Sequence, residues 1–182
     1  YVYTTKQNEV SQLKSELDIL DKLGYTANFV TATGLPFSIN GALQFKNQAQ
    51  FHPLKYISGL CNVILASGSS IFIDTTVYDV KRENDFYITY TQKYNVKSKY
   101  VVLASHYPFI NFPGFYFTKM YQSTSYVIAI DTKNTLFHGM YINISSPIYS
   151  FRTAKYGKKE LLLIGGADHN TGECVDFNSS YA

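Results

Sequence analysis

The clearest periodic pattern in the chain is an apolar stripe near its beginning. Apolar residues follow one another there at steps of three or four, at Val10, Leu13, Leu17, Leu20 and Leu23. This spacing places them on one helix face and predicts a helix over residues 6–23. Gly24 comes directly afterwards and can adopt the left-handed conformation that ends helices.

A second apolar segment predicts a helix that opens at Pro53 and closes near Gly68. Proline suits the first helical position, where its missing N–H is not needed, and glycine suits the position after the last turn. The predicted inward face consists of Leu54, Ile57, Leu60 or Cys61, and Ile64.

Short apolar runs separated by polar turns predict strands in most of the remaining chain. The predicted strands cover residues 1–4, 70–80, 85–91, 96–105, 126–131, 140–144, 149–153 and 160–164. Two helices with roughly eight mostly antiparallel strands indicate an α+β fold. Within this set, the unbroken apolar run 100–105 predicts a strand buried on both faces, as in a parallel sheet.

Composition narrows the function classes. Hydrophobic residues make up 46% and charged residues 16% of the 182 residues, which is typical of a folded globular chain. A net charge of +3 is too small to indicate nucleic-acid binding. No apolar run reaches the ~20 residues of a membrane helix. Cys61 and Cys174 lack metal-ligand spacing, so we expect no metal site, and a reducing cytoplasmic setting fits them.

Aromatic residues are unusually frequent, with 17 Tyr, 13 Phe and no Trp. Tyrosine rings can line a pocket for a flat ligand, and they also favour strands. Tyr116 and Tyr121 are candidates for such a pocket wall, with core packing as the alternative.

Three further side chains are candidates for binding a small ligand. Arg152 lies in a predicted strand and could bind a carboxylate with its planar fork, although most strand arginines face water. His52 precedes the second helix and could orient a polar group, or simply serve at the helix entry. His169 follows the glycine pair Gly165–Gly166, which would let main chain approach a planar ring; a surface histidine is the alternative.

Three segments in this order resemble FAD-dependent oxidoreductases of the D-amino-acid oxidase and glycine oxidase superfamily: Gln50-Phe-His-Pro-Leu-Lys-Tyr56, Val101-Val-Leu-Ala-Ser-His-Tyr-Pro108 and Gly165-Gly166. The family opens with a strand–GxGxxG–helix unit that holds FAD, and this chain has no such pattern. Because it also begins at Tyr1 within a predicted strand, we expect an excised substrate-binding middle domain over residues 1–182. Residues 70–105 and 160–172 would adjoin the FAD-binding domain of the same parent chain. Some similar proteins continue into a Rieske-type domain, of which this chain shows no sign.

The resemblance also implies a reaction and a set of site residues. The parent enzyme would oxidise an amine or amino acid by hydride transfer to FAD, and the isolated chain would be inactive without the main FAD anchor. Substrate contacts fall on His52, Tyr116, Tyr121 and Arg152. FAD contacts fall on Val77, Ala104, Ser105, Gly165, Gly166 and His169. Val77 could equally be a core residue of its strand.

A second hypothesis belongs to another class. The chain could be a non-enzymatic module that binds a small molecule or a protein partner through a tyrosine-rich face. Its residues alone indicate a pocketed α+β domain and do not choose between the two.

Overall fold

The structure is a computed structural model that describes residues 1–132 and 136–173. The chain divides into two compact units. Unit 1 combines residues 1–48 with those from 123 onwards, and unit 2 consists of residues 49–122. Cys174 lies outside the described residues.

Two α-helices and ten strands make up the described chain. The helices are α1 (Val10–Lys22), which follows a 3-10 turn at Gln7–Glu9, and α2 (Pro53–Ala66). The strands are β1 (Val2–Thr4), β2 (Ala27–Val30), β3 (Gly41–Phe45), β4 (Val77–Glu83), β5 (Phe86–Thr91), β6 (Asn95–Ser98), β7 (Ser123–Asp131), β8 (Tyr141–Asn143), β9 (Ser150–Tyr156) and β10 (Lys159–Asn170). A second 3-10 turn lies at Tyr116–Thr118.

Helix α1 forms where the apolar spacing predicts it. Its last turn is closed by Gly24, which has a φ of +76°, and the Tyr25 N–H donates to the Leu20 carbonyl. A residue with a Cβ would be strained at that φ, so the glycine fixes the helix end. The predicted apolar face is only partly buried: Leu13 is enclosed, whereas Leu23 is 66% exposed.

Unit 1 is built on a seven-stranded sheet in the order β2-β3-β1-β8-β9-β10-β7. Strand β1 pairs antiparallel with β3 and parallel with β8, and every other pairing is antiparallel. Helix α1 packs on β2 and β3. A core cluster of Tyr3, Leu35, Ala42 and Tyr141 lies around the centre of the sheet. The short N-terminal strand therefore joins the early and late parts of the chain.

The carboxylate of Glu9 ties three parts of unit 1 together. It accepts hydrogen bonds from the hydroxyl of Thr4, at 2.6 Å, and from the hydroxyl of Ser145. The Lys6 ammonium lies 3.5 Å from its other oxygen. The hydrogen bonds from Ser145 and Thr4, with the charge of Lys6, lower the pKa of Glu9 below its usual value. The ionised glutamate thus connects the end of β1, the start of α1 and the segment after β8.

Unit 2 contains the three-stranded antiparallel sheet β4-β5-β6 and helix α2. Helix α2 begins at Pro53 as predicted, with His52 as its N-cap residue. Its predicted inward face is exposed in the structure: Leu54 is 73% and Ile57 53% exposed.

Two predictions about the fold are wrong. The described chain is mostly β, with 35% of its residues in strands and 19% in helices, so the α+β class is corrected. The cause is strand length, because β7, β9 and β10 extend well beyond the short runs that the sequence predicts. The run 100–105 forms no strand, and Tyr100 and Val102 are more than 80% exposed. It has apolar residues but no neighbouring strand to pair with among the described residues.

Among the described residues, no helix is long and apolar enough to cross a membrane.

The Glu9 cluster predicts an acid-dependent stability. Because the folded pKa of Glu9 is lowered, its contribution is complete above the ordinary value of 4.5 and is lost as the pH falls through the folded value. We expect Glu9→Gln to lower the Tm at pH 7, with a difference from the unmodified chain that shrinks at pH 3. Thermal unfolding followed by circular dichroism at both pH values tests this. Glu16→Gln, at an exposed position of α1, is the control, and an unchanged acid dependence in Glu9→Gln would contradict the prediction.

Candidate functional site

Unit 1 contains a cleft of about 650 Å³. We call it the Arg152 cleft. It lies over strands β1, β8 and β9 and the end of β3, and its lining includes Tyr1, Gln44, His138, Tyr141, Phe151 and Arg152. A cleft of this size could accept a small organic molecule.

One side of the Arg152 cleft is formed by two stacked tyrosines. The rings of Tyr1 and Tyr141 lie 4.8 Å apart between centroids and are parallel to within 4°. The Gln44 side-chain amide donates to the Tyr1 hydroxyl at 2.7 Å, and the Tyr141 hydroxyl donates to the His138 carbonyl at 2.8 Å. Burial raises the pKa of Tyr141, and the neighbouring Tyr1 raises it further, so this phenol stays protonated. The stack thus offers an aromatic surface on which the Tyr141 hydroxyl stays protonated.

Arg152 supplies the positive charge of the cleft. It lies in the middle of β9, where its Cα partner on β10 is Leu163, and it is half-buried. No acidic residue is among the described residues that line the cleft, and none in the described chain forms an ion pair with Arg152. A half-buried guanidinium without a carboxylate partner favours an anionic ligand.

The other predicted substrate residues lie elsewhere. His52, Tyr116 and Tyr121 are exposed residues of unit 2, and no described hydrogen bond or ring contact joins any two of them. The ring of His52 accepts a hydrogen bond of 3.4 Å from the Lys55 N–H, which is the helix-entry role that the sequence left open. Tyr121 is 86% exposed. Their substrate-binding roles stay predictions.

Contacts within unit 1 explain why glycine occupies position 166 in β10. Neither Gly165 nor Gly166 has a positive φ; Ala167, next to them, has a φ of +56°. A Cβ on Gly166 would lie 2.4 Å from the ring of Tyr149 and 3.1 Å from the Ile148 carbonyl oxygen. The sequence predicted that a planar ring could lie close to this glycine pair. In the structure, the ring of Tyr149 in the same unit lies there.

His169 lies near the end of β10 and contacts Tyr126. Its ring stacks on Tyr126, with centroids 5.5 Å apart and an interplanar angle of 20°. Its Nδ1 lies 3.3 Å from the Ala167 carbonyl oxygen. The pairing of β10 with β7 shifts register between Gly166 and His169, so the histidine follows an irregular step in the strand.

The remaining predicted cofactor contacts lie in unit 2. Val77 is half-buried at the start of β4, where it pairs with Thr91. Ala104 and Ser105 are exposed in an irregular segment, and the Ser105 hydroxyl donates to the Tyr107 carbonyl. No described contact brings these three residues together.

Sequence reasoning missed most of the Arg152 cleft. Tyr1, Gln44, His138 and Tyr141 come together only because β1 is inserted between β3 and β8. The sequence does place tyrosines in strands early and late in the chain. It does not give the register between β1 and β8 that stacks Tyr1 on Tyr141.

Comparison with known proteins identifies a relative over the whole chain. The chain is 32% identical over 181 residues to a protein of Bacillus subtilis (strain 168) with the provisional description Rieske 2Fe-2S iron-sulfur protein YhfW. The match covers 100% of this chain and 36% of the relative, so the chain spans about a third of the relative's length. No protein-family model and no solved structure matches the chain.

This finding overturns the flavin interpretation. The relative's description names an iron–sulfur protein and no flavin, so the identification with the D-amino-acid oxidase superfamily is corrected. The same correction applies to the FAD-dependent enzyme, the amine or amino-acid oxidation and FAD as cofactor. It also applies to the FAD-binding domain and the amine substrate as partners. The mostly β structure likewise differs from the substrate domain expected for such an oxidase.

The residues described at 1–132 and 136–173 do not fit a Rieske cluster. Such a cluster is held by two cysteines on one iron and two histidines on the other. The whole sequence has two cysteines, so a cluster would need Cys61 together with two of the four histidines. Cys61 and all four histidines are described, and no three potential ligands lie together among the described residues. His52 is nine residues from Cys61 along α2, about 13 Å at 1.5 Å per residue.

The packing around Gly166 predicts a specific cost for adding a methyl group. Gly166→Ala would push its Cβ into the Tyr149 ring, and overpacking of this kind destabilises by about 1–3 kcal/mol. Removing the ring with Tyr149→Ala in the Gly166→Ala background should recover part of that loss. Chemical denaturation of the single and double variants measures both effects.

The matched control is Gly59→Ala in α2, where an added Cβ has nothing within 4 Å. This change should be neutral or stabilising by up to about 1 kcal/mol, because alanine favours a helix interior. Equal losses for Gly166→Ala with and without the Tyr149 ring would show that the ring is not the reason for the glycine.

Proposed function

We propose that this chain is a cluster-free part of a longer iron–sulfur redox protein. The observation that carries the proposal is its similarity, over its whole length, to about a third of a protein described as a Rieske 2Fe-2S protein. In this proposal the cluster is held by the remainder of the polypeptide, because no three potential ligands, with or without Cys61, lie together in the described part of this chain. The longer protein would transfer electrons through that cluster.

The size of the relative supports this division. Nearly two thirds of it lies outside the match. That is enough chain for at least one further domain of about 100–150 residues. Cys61 is a free thiol, which is consistent with a reducing compartment, and a cytoplasmic location is part of the proposal.

A second proposal concerns what this part contributes. We propose that the Arg152 cleft binds a small planar anion, with the Arg152 guanidinium on the carboxylate and the Tyr1–Tyr141 stack beside the ring. Within the described residues, Arg152 has no carboxylate partner, and its cleft also holds an aromatic surface; both support this ligand class. The protonated Tyr141 hydroxyl adds a hydrogen-bonding group without competing for the cation.

The first prediction concerns iron. We expect the full-length polypeptide to contain iron and acid-labile sulfide and to give an electron paramagnetic resonance signal when reduced. Residues 1–182 alone, treated with iron and sulfide under reducing conditions, should retain neither after desalting. Metal analysis and the resonance spectrum measure this.

Cys61→Ala supplies the control for that experiment. In the full-length protein it should leave the iron content unchanged, because Cys61 is not a ligand. Stoichiometric iron on residues 1–182 that disappears in Cys61→Ala would contradict the proposal, and so would a full-length protein without iron.

The second prediction concerns Arg152. Benzoate should raise the Tm of the chain in a concentration-dependent manner, whereas benzamide, which has the same shape without the charge, should not. Arg152→Gln should weaken benzoate binding at least about tenfold, since a hydrogen bond to a charged group contributes about 1.5–3 kcal/mol. Thermal-shift titration and calorimetry give both values.

Lys155→Gln provides the matched control. Lys155 is an exposed cation on the same strand and does not line the cleft. Equal effects of the two substitutions would indicate a general charge effect, and equal binding of benzoate and benzamide would exclude carboxylate recognition by Arg152.

A further inference from the structure

Helix α2 has an apolar face that is much wider than a surface helix requires. At 100° per residue, apolar side chains cover an arc of about 200°, whereas a surface helix needs about 100°. The arc consists of Leu54, Tyr56, Ile57, Leu60, Cys61, Val63, Ile64 and Leu65. The opposite stripe carries Lys55, Ser58 and Asn62, and Lys55 is the one charged residue of the helix.

This apolar face is exposed in the structure. Leu54 is 73%, Val63 66% and Ile57 53% exposed, and Cys61 is half-buried. No strand of unit 2 packs closely against α2 among the described residues. The segment 71–73, which follows the helix, is also apolar and exposed.

Such a surface is unusual for a protein in water. Contiguous apolar patches on monomeric proteins rarely exceed about 300–600 Å², and larger ones indicate an interaction site. A helix that is apolar around most of its circumference is normally buried. The exposed apolar face of α2 therefore indicates an interaction site.

We propose that the apolar face of α2 is an interdomain surface, covered by the part of the longer polypeptide that lies outside the matched segment. This inference rests on the proposed function. Nearly two thirds of the relative lies outside the match, which provides the covering chain. The near absence of charge on the face indicates that the covering surface is apolar too, like the core of a stable interface.

The polar stripe distinguishes one-sided docking from complete burial. Asn62 lies about 160° from the middle of the apolar arc, on the polar stripe, while Cys61 lies within the arc. A thiol at position 61 should therefore be covered by the docked domain, and a thiol at position 62 should remain in solvent. These adjacent positions form a matched pair on one helix.

Thiol alkylation of the folded full-length polypeptide tests the proposal. Iodoacetamide should modify Cys61 at least about tenfold more slowly in the full-length polypeptide than in residues 1–182 alone, where Cys61 is only half-buried, because a covered thiol reacts only through local opening. A thiol at position 62 in the Cys61→Ser/Asn62→Cys variant should react equally fast in both. Mass spectrometry of the tryptic peptide 56–81 measures this site alone, since Cys61 is its only cysteine.

Each other outcome overturns the proposal. Rapid alkylation at both positions means an uncovered helix, and slow alkylation at both means a helix enclosed on all sides. Protection of Cys61 that disappears on dilution identifies a second copy of the chain as the covering partner. The iron content of the same sample distinguishes the two proposals. A sample that contains iron but has a reactive Cys61 rejects only the interdomain surface. A sample with a protected Cys61 but no iron rejects only the iron–sulfur cluster.

Discussion

The architecture of unit 1 depends on the insertion of one three-residue strand. Strand β1 hydrogen-bonds to β3 on one side and to β8 on the other, so residues 2–4 join segments that are far apart in the chain. Tyr3 and Thr4 are buried there, and the Glu9 carboxylate fixes the end of the strand to Ser145. Without β1 the sheet would separate into a β2–β3 hairpin and a four-stranded part. A two-stranded hairpin is marginal in water, so the central strand determines the stability of the whole unit.

The Arg152 cleft is a consequence of the same insertion. Pairing of β1 with β8 brings Tyr1 onto Tyr141, and pairing of β8 with β9 sets Tyr141 opposite Phe151, next to Arg152. The two rings of the aromatic surface therefore come from distant parts of the chain, and the cation comes from the strand that follows Tyr141. Their chemistry belongs to a site that exists only in the folded unit, and its geometry is as rigid as the sheet that carries it.

Local signals predicted local structure, and the long-range features were missed for a physical reason. The spacing that ends at Gly24, and the proline at position 53, place both helices, because periodicity and caps act within a few residues. The run 100–105 was misinterpreted, and the Tyr149 contact of the glycine pair was missed, because both environments are set by residues that no local pattern reveals. An apolar run becomes a strand only beside a partner strand. Gly166 is glycine because of Tyr149, which no spacing rule connects to it.

The flavin interpretation failed for the same reason at a larger scale. It rested on the order of three short segments, and such segments can be used by a fold in more than one way. A match over the whole chain, combined with an incomplete set of cluster ligands, limits the possible functions more than three short segments do. The match associates the chain with an iron–sulfur protein, while the described residues bring no three potential cluster ligands together. The match and the missing cluster ligands are compatible if the redox cluster and this chain belong to different parts of one polypeptide. The exposed apolar face of α2 then has a physical explanation, because it would be the surface that packs this part against the rest.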